Sequence, residues 1–547
     1  MDYLDLGTFS RPVSTRSPEA QLWFDRGMVW TYAFNHEEAV VCFEAAAAAD
    51  PDCAMAHWGV AYALGPNYNK PWDFFDEADL ERTVRRTHAA AERAHATSAG
   101  ATATERALVE ALRARYPQSH AVEDCSIWNA SYADAMRAVY GLASDDLDVA
   151  TLYADALMNL TPWKLWDLRT GKPAAEARTV EAETVLNRAL VSEAGARHPG
   201  VLHMYIHLME MSPTPEKALV VADQLRGLVP DAGHLHHMPS HLDVLCGDYR
   251  HVVEVNTDAI AADEKYLRHA GAMNFYTLYR CHNYHFKIYG AMFLGRYRTA
   301  LDTAARLEAS IPEELLRVES PPMADWLEGF LAMRVHVLIR FGRWEDILAL
   351  PSPTDRQLYC VTAAMLHYAR GVAYSATGMV RQAESERESF VAAVEHVPES
   401  RMLFNNTCRD ILAIASAMLD GELHYRKGEY DAAFASLDRS IGLDDSLPYD
   451  EPWGWMQPTR HAYGALLLER GRVEEAEAVY RADLGLDDTL PRASQHPGNV
   501  WSLRGYHACL VRLGKVAEAG IVARQLTVAA ALADVPIATS CFCAGGS

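Results

Sequence analysis

No stretch of the chain holds the roughly 18 consecutive apolar residues that a membrane-spanning helix needs, so no span is expected. The opening residues, MDYLDLGTFSRP, lack the basic segment followed by an apolar one that marks a secretory signal. Cysteine is sparse, with ten residues at no spacing that describes a disulfide framework. The cysteines therefore read as mostly reduced and buried, in a cytoplasmic protein. Basic residues are outnumbered, 50 Lys and Arg against 73 Asp and Glu, for a net charge of -23. Phosphate contacts need clustered cations, so neither nucleic acid nor an anionic membrane surface is expected as a partner. Chemical signatures are missing too. The sequence has no Gly-rich phosphate loop followed by Lys and Ser or Thr, no dinucleotide fingerprint after a strand, no GxSxG and no CxxCH.

What is present is helix. Alanine is abundant, β-rich runs are scarce, and apolar residues recur at three- and four-residue spacing. The helices also repeat. Residues 18–53 fit a tetratricopeptide pattern, with Trp23, Gly27 and Trp30 on a first helix, Ala39, Phe43 and Ala46 on a second, and Pro51 at its end. Later repeats carry a glycine at a turn and an alanine five residues on, as in Gly295/Ala300, Gly378/Ala383, Gly428/Ala433, Gly471/Ala476 and Gly514/Ala519. Gly247 and Gly342 open similar turns. The expected fold is all-α, a tetratricopeptide-like α-solenoid or superhelix over 1–547. It would comprise N-terminal repeats at 18–160, central repeats at 161–310, and C-terminal repeats with a tail at 311–547. Two segments break the pattern, 64–76 and 161–176, each with Pro and aromatic residues. Such insertions are either functional or caps on the array. Residues 351–357 are the best candidate for a seam.

Histidine is in excess in one window. Of 23 histidines, eleven fall in the 88 residues from His198 to His285, where even scatter would put about four. Helix propensity does not supply a cause. His203 and His207 are one turn apart on a predicted helix, with Glu210 able to join their face. In GHLHHMPSH, residues 233–241, Pro239 is tolerated only in a first turn, so a helix is predicted to begin near Met238. His241 then projects from that turn, with His234, His236 and His237 in the approach. His282 and His285 share a face of a third helix, near Tyr276 and Tyr279. First helices line the concave face of a tetratricopeptide superhelix, so these side chains are expected to converge. A single buried histidine is more often a satisfied core residue. For a cluster that reading weakens, because imidazoles packed together must share a proton, metal or ligand. His198 reads as a cap or a supporting group, and His251 and His269 as surface positions. Cys541 and Cys543 form either a solvated tail or a pair of thiolates.

These stretches resemble those of large bacterial tetratricopeptide-repeat proteins. The resemblance runs through FNHEEAVVCFEAAAAADPDCAMAHWGVAYALGPNYN, YADALMNLTPWKLWD, HPGVLHMYIHLMEMSPTPEKAL, AGHLHHMPSHLDVLCGDY and HNYHF. It implies an all-α solenoid and no particular reaction. The positions that match its histidine motifs are His198, His203, His207, His234, His237, His241, His282 and His285. Cys541 and Cys543 resemble endings found in the group. His236 and Asp243 depart, where an apolar and an aromatic residue are expected.

Three functions follow. The first is a metalloenzyme acting on a small-molecule substrate. Its transition metal would be held by His203, His207, His237, His241, His282 and His285, with Glu210 as ligand or base. Tyr276, Tyr279 and Tyr205 would be the substrate-facing phenols. Imidazole-rich surroundings favour copper or iron and an oxidative reaction, while zinc would go with hydrolysis. The second is an interaction scaffold that binds a peptide or protein in its concave groove. The third is a structural metal that staples the repeats without catalysis.

Overall fold

The computed structural model describes residues 3–544. Those residues are mostly helical, joined by turns and loops, and the only strands among them are two short hairpins, Trp166–Asp167 with Lys172–Pro173 and Met402–Leu403 with Asn406–Thr407. The chain divides into two compact units. The first comprises Met1–Leu242 and Asp258–Tyr276, the second Asp243–Thr257 and Thr277–Ser547. Both are built from antiparallel helix pairs of the tetratricopeptide kind.

The first pair shows how sequence sets the packing. The helix Pro18–Tyr32 starts at Ser17, whose side chain accepts from the Ala20 backbone N–H. The helix His36–Ala49 is capped in the same way by Asn35, which accepts from Glu38. A helix leaves its first backbone donors without partners, and these side chains satisfy one each. Between the two helices Phe34 adopts a left-handed φ of 54°, which tightens the connection. Phe43 is fully buried against the glycines of two neighbouring helices. A methyl group built on Gly27 would lie 2.6 Å from its ring, and one on Gly59 only 2.3 Å. The small residues are therefore what lets Phe43 fill the gap, at about 1.5–3 kcal/mol for a buried aromatic of that size.

The glycine–alanine mark holds in the second unit. All seven turn glycines, from Gly247 to Gly514, have positive φ between 62° and 80°. Only a residue without Cβ takes that conformation at no steric cost. The alanines five positions on pack into the core: Ala300, Ala383, Ala433 and Ala476 are wholly buried.

Two local expectations are refined. The helix predicted to begin near Met238 is Pro239–Leu245, and the approach to it is itself helical, Gly233–His237. The residues around Cys541 are not a solvated tail. Ser540 donates to the His461 carbonyl at 2.8 Å and sits 2.5 Å from the Tyr480 hydroxyl. Arg340 donates to the Ser540 carbonyl and Arg426 to that of Cys543. Cys541 and Cys543 are joined as a disulfide.

Candidate metal centre

The histidine cluster of the first unit is built on one helix, Pro199–Glu210. His198 caps it by accepting from the Val201 N–H at 3.2 Å, as the HPG turn suggests, and its other ring nitrogen meets Asp148 at 3.1 Å. Every residue of the helix is buried. His203 and His207 therefore point into protein, one turn apart, with ring centroids separated by 4.7 Å.

Each of these two rings is fixed by its Nδ1. His203 Nδ1 donates to the Tyr32 carbonyl at 2.6 Å, and His207 Nδ1 donates to Glu210 Oε1 at 3.0 Å. Those bonds put the proton on Nδ1 and leave the Nε2 lone pair exposed to the interior. Neither Nε2 has a hydrogen-bond partner among the described residues, although both side chains are wholly buried. Burial also lowers both ring pKa values, that of His203 to about 3 and that of His207 well below the ordinary value. Neutral imidazole is the form that binds a metal, whereas an unpartnered buried acceptor is costly.

His234 completes the group. It lies in the short helix Gly233–His237, and its backbone N–H donates to the Tyr276 hydroxyl at 3.2 Å. One ring nitrogen from each of His203, His207 and His234 lies within 4.8 Å of the other two. This residue was grouped in the sequence with the approach to a helix, and no helical periodicity marks it.

A second arrangement adjoins the first. Glu210 is wholly buried, and its Oε2 accepts from His241 Nδ1 at 2.7 Å. His241 Nε2 in turn faces His237 Nε2 at 2.7 Å. One carboxylate thus holds two imidazoles by their Nδ1 atoms and directs both Nε2 atoms inward. Glu210 is placed to orient ligands, because each of its oxygens is already engaged.

Aromatic rings close the site. Phe34 lies 4.5 Å from the ring of His203 and stacks on His207 and His234 at 5.6 and 5.5 Å. Tyr68, from the 64–76 insertion, lies 5.0 Å from His207. Trp163, from the 161–176 insertion, lies 5.8 Å from the same ring. The second insertion is tied down by Trp166, whose indole N–H donates to the Leu208 carbonyl at 2.7 Å. Both breaks in the repeat pattern therefore cover the histidines.

Tyr276 is in the first unit, and its hydroxyl donates to Asp263 at 3.0 Å while accepting from His234 N–H. Tyr205 is buried on the same helix as His203 and His207. His282, His285 and Tyr279 belong to the helix Thr277–Phe293 of the second unit. There His285 Nε2 meets Met456 Sδ at 2.8 Å, and the His282 ring lies 4.5 Å from Phe404.

No protein-family model matches the sequence, and no curated protein does. Among solved structures the chain is similar to Ypp1, at 9% identity over 98% of this chain and 78% of that one, with a TM-score of 0.43. It is also similar to the APC/C hetero-tetramer Cut9–Hcn1, at 13% identity over 88% and 77%, with a TM-score of 0.30. A third is yeast Tom70, at 10% identity over 93% and 99%, with a TM-score of 0.29. These likenesses concern the helical fold and not an activity. No described helix is long and apolar enough to cross a membrane.

Proposed function

We propose that the chain is a tetratricopeptide-type repeat protein whose first unit holds a transition-metal ion, with His203, His207 and His234 as ligands. The observation that carries this reading is the pair of buried Nε2 atoms on His203 and His207 that meet no donor among the described residues. Three neutral imidazoles suit copper, iron or zinc, and the shortage of free carboxylates argues against magnesium or calcium. His241 and His237, aligned through Glu210, would extend the ligand set or support it.

What the ion does is a separate matter. The helix-pair architecture favours an interaction scaffold, because such arrays dock peptides and proteins on their helix faces. In that case the metal is a staple for the first unit. An oxidative reaction on a small molecule is the alternative, and only the imidazole-rich ligand set supports it. Complete burial of His203 and His207 beneath Phe34, Tyr68 and Trp163 favours the staple, because structural sites are closed and catalytic ones keep an open position.

The test is elemental analysis of protein purified without a histidine tag, beside His203→Ala, His207→Ala and His234→Ala. About one equivalent of copper, iron or zinc, lost in each variant, is expected. If chelation then lowers the melting temperature and no oxidation is found, the metal is structural. If no metal is present and none is taken up on titration, the site is not a metal centre and the scaffold reading stands alone.

A further inference from the structure

The second unit contains a separate cluster that the metal reading does not use. Glu422 lies on the helix Cys408–Lys427 and is wholly buried. Neither of its carboxyl oxygens has a hydrogen-bond partner among the described residues. It lines a small pocket with Tyr368, Met418, Trp455, Cys541 and Cys543. One oxygen of Glu422 and the two sulfurs all lie within 4.8 Å of one another. Cys543 is buried at 1% exposure, whereas Cys541 is partly exposed. The segment is held in place by Arg340, Arg426 and Tyr480 through the contacts of Ser540 and Cys543 described above.

A buried carboxyl with no partner is a costly group to keep in a core. Beside a dithiol it has a use. Thiol–disulfide exchange requires a proton to leave one thiol before attack and another to reach the departing sulfur, and a carboxyl within reach can carry it. The two sulfurs also differ in access, as an attacking and a resolving thiol must.

We propose that Cys541, Cys543 and Glu422 form a dithiol–disulfide exchange site that reacts with a low-molecular-weight disulfide. The accessible Cys541 thiolate attacks the disulfide RS–SR. The Cys541 S–SR bond forms, the RS–S bond breaks, and RS⁻ leaves as the first thiol after taking a proton from water. Cys543 then gives its proton to the Glu422 carboxylate and attacks the Cys541 sulfur. The Cys541–Cys543 bond forms, and the second RS⁻ leaves with the proton that Glu422 returns. The protein dithiol loses two electrons, and the small disulfide becomes two thiols. The reverse sequence reduces the protein. Burial raises the Glu422 pKa to about 7, which suits a group that takes and returns a proton near neutral pH. Arg426 opposes that rise, Glu469 adds to it, and the Tyr368 hydroxyl titrates far above this range.

The test uses the full chain and the glutathione couple. Tryptic cleavage after Arg524 releases a peptide whose only cysteines are Cys541 and Cys543. The reduced protein is mixed with oxidised glutathione, quenched with acid, alkylated and digested. In the parent chain this peptide is expected to pass from doubly alkylated to unalkylated and disulfide-bonded. Cys543→Ser should stop at Cys541 bearing glutathione, and Cys541→Ser should acquire none at the same rate. Glu422→Gln, which keeps the shape of the side chain, should slow ring closure at neutral pH at least about tenfold. Its melting temperature, measured alongside, separates that effect from a lost fold. A peptide that never interconverts would overturn the exchange site. Equal glutathionylation of the two serine variants would overturn the order of attack, and an unchanged closure rate in a folded Glu422→Gln would overturn the proton transfer.

Discussion

His207 and His241 are held by a single carboxylate, with Glu210 accepting from Nδ1 of His207 at 3.0 Å and from Nδ1 of His241 at 2.7 Å. The arrangement fixes the tautomer and the tilt of both rings at once. Replacing Glu210 with Gln keeps the volume and removes the acceptor at one of the two positions. The expected outcome is metal affinity weaker by about 10- to 100-fold, the usual effect of losing such an orienting carboxylate. Competition against a chelator of known affinity measures it. Unchanged affinity would mean that neither ring depends on Glu210 for its alignment.

The packing of Phe43 gives a second expectation. Gly27→Ala places a methyl group 2.6 Å from that ring, so the ring or the helix has to move. A loss of about 1–3 kcal/mol is expected. Chemical denaturation reads it, and adding Phe43→Leu to Gly27→Ala should recover part of the loss. If Phe43→Leu alone is as damaging as the pair, the clash is not the cause.

In the second unit Asp483 is wholly buried and accepts from His461 at 3.0 Å, His496 at 2.9 Å, Asn499 at 3.0 Å and Ser502 at 2.5 Å. Burial would raise its pKa, but its electrostatic interactions and hydrogen bonds with His461 and then His496 outweigh that and hold it well below the ordinary value. Asp483→Ala strands four donors and should cost about 3–5 kcal/mol. Asp483→Asn, which keeps acceptor capacity, should cost less. Calorimetric melting of the two variants decides the ranking, and equal losses would discount the network.

Acid should destabilise the second unit through His336. Burial lowers its ring pKa from 6.5 to about 3. The unfolded chain therefore takes up a proton below pH 6.5 that the folded chain refuses. Stability from this group is complete above pH 6.5 and is lost as the pH falls from there toward 3. The slope is about 1.4 kcal/mol per pH unit while only the unfolded state is protonated. Urea unfolding at a series of pH values should show it, with a shallower slope in His336→Gln. An identical slope in that variant would assign the acid sensitivity to other groups.

The repeat architecture was legible because its marks are local. A turn glycine and an alanine five residues later are both dictated by one helix–helix contact, so Gly378 and Ala383 carry the same information in sequence and in space. His203 and His207 were legible for the same reason, as one turn of one helix. His234 was not singled out as a ligand, because a five-residue helix is too short for periodicity to register. The carbonyl that fixes His203 belongs to Tyr32, 171 residues away, and no spacing rule reaches that far. The approach of Tyr68 and Trp163 to His207 was equally hidden, although the insertions that carry them stood out as breaks in the pattern. The two sulfurs near residue 541 were visible, and their buried partner Glu422 was not, because its environment is set by another helix.

The first unit is assembled from two separated stretches of chain, and its second stretch ends with the residues that hold His234 in place. Tyr276 reaches back to the His234 backbone, and Asp263 holds Tyr276. A ribosome delivers these parts in order, so His203 and His207 emerge long before the pair that anchors their neighbour. On any nascent chain shorter than residue 276, the His234 backbone therefore lacks the hydroxyl it meets in the folded unit. Under the metal-centre reading proposed above, the site would take its final form only once the whole first unit has been made, and ion insertion would follow synthesis of residue 276.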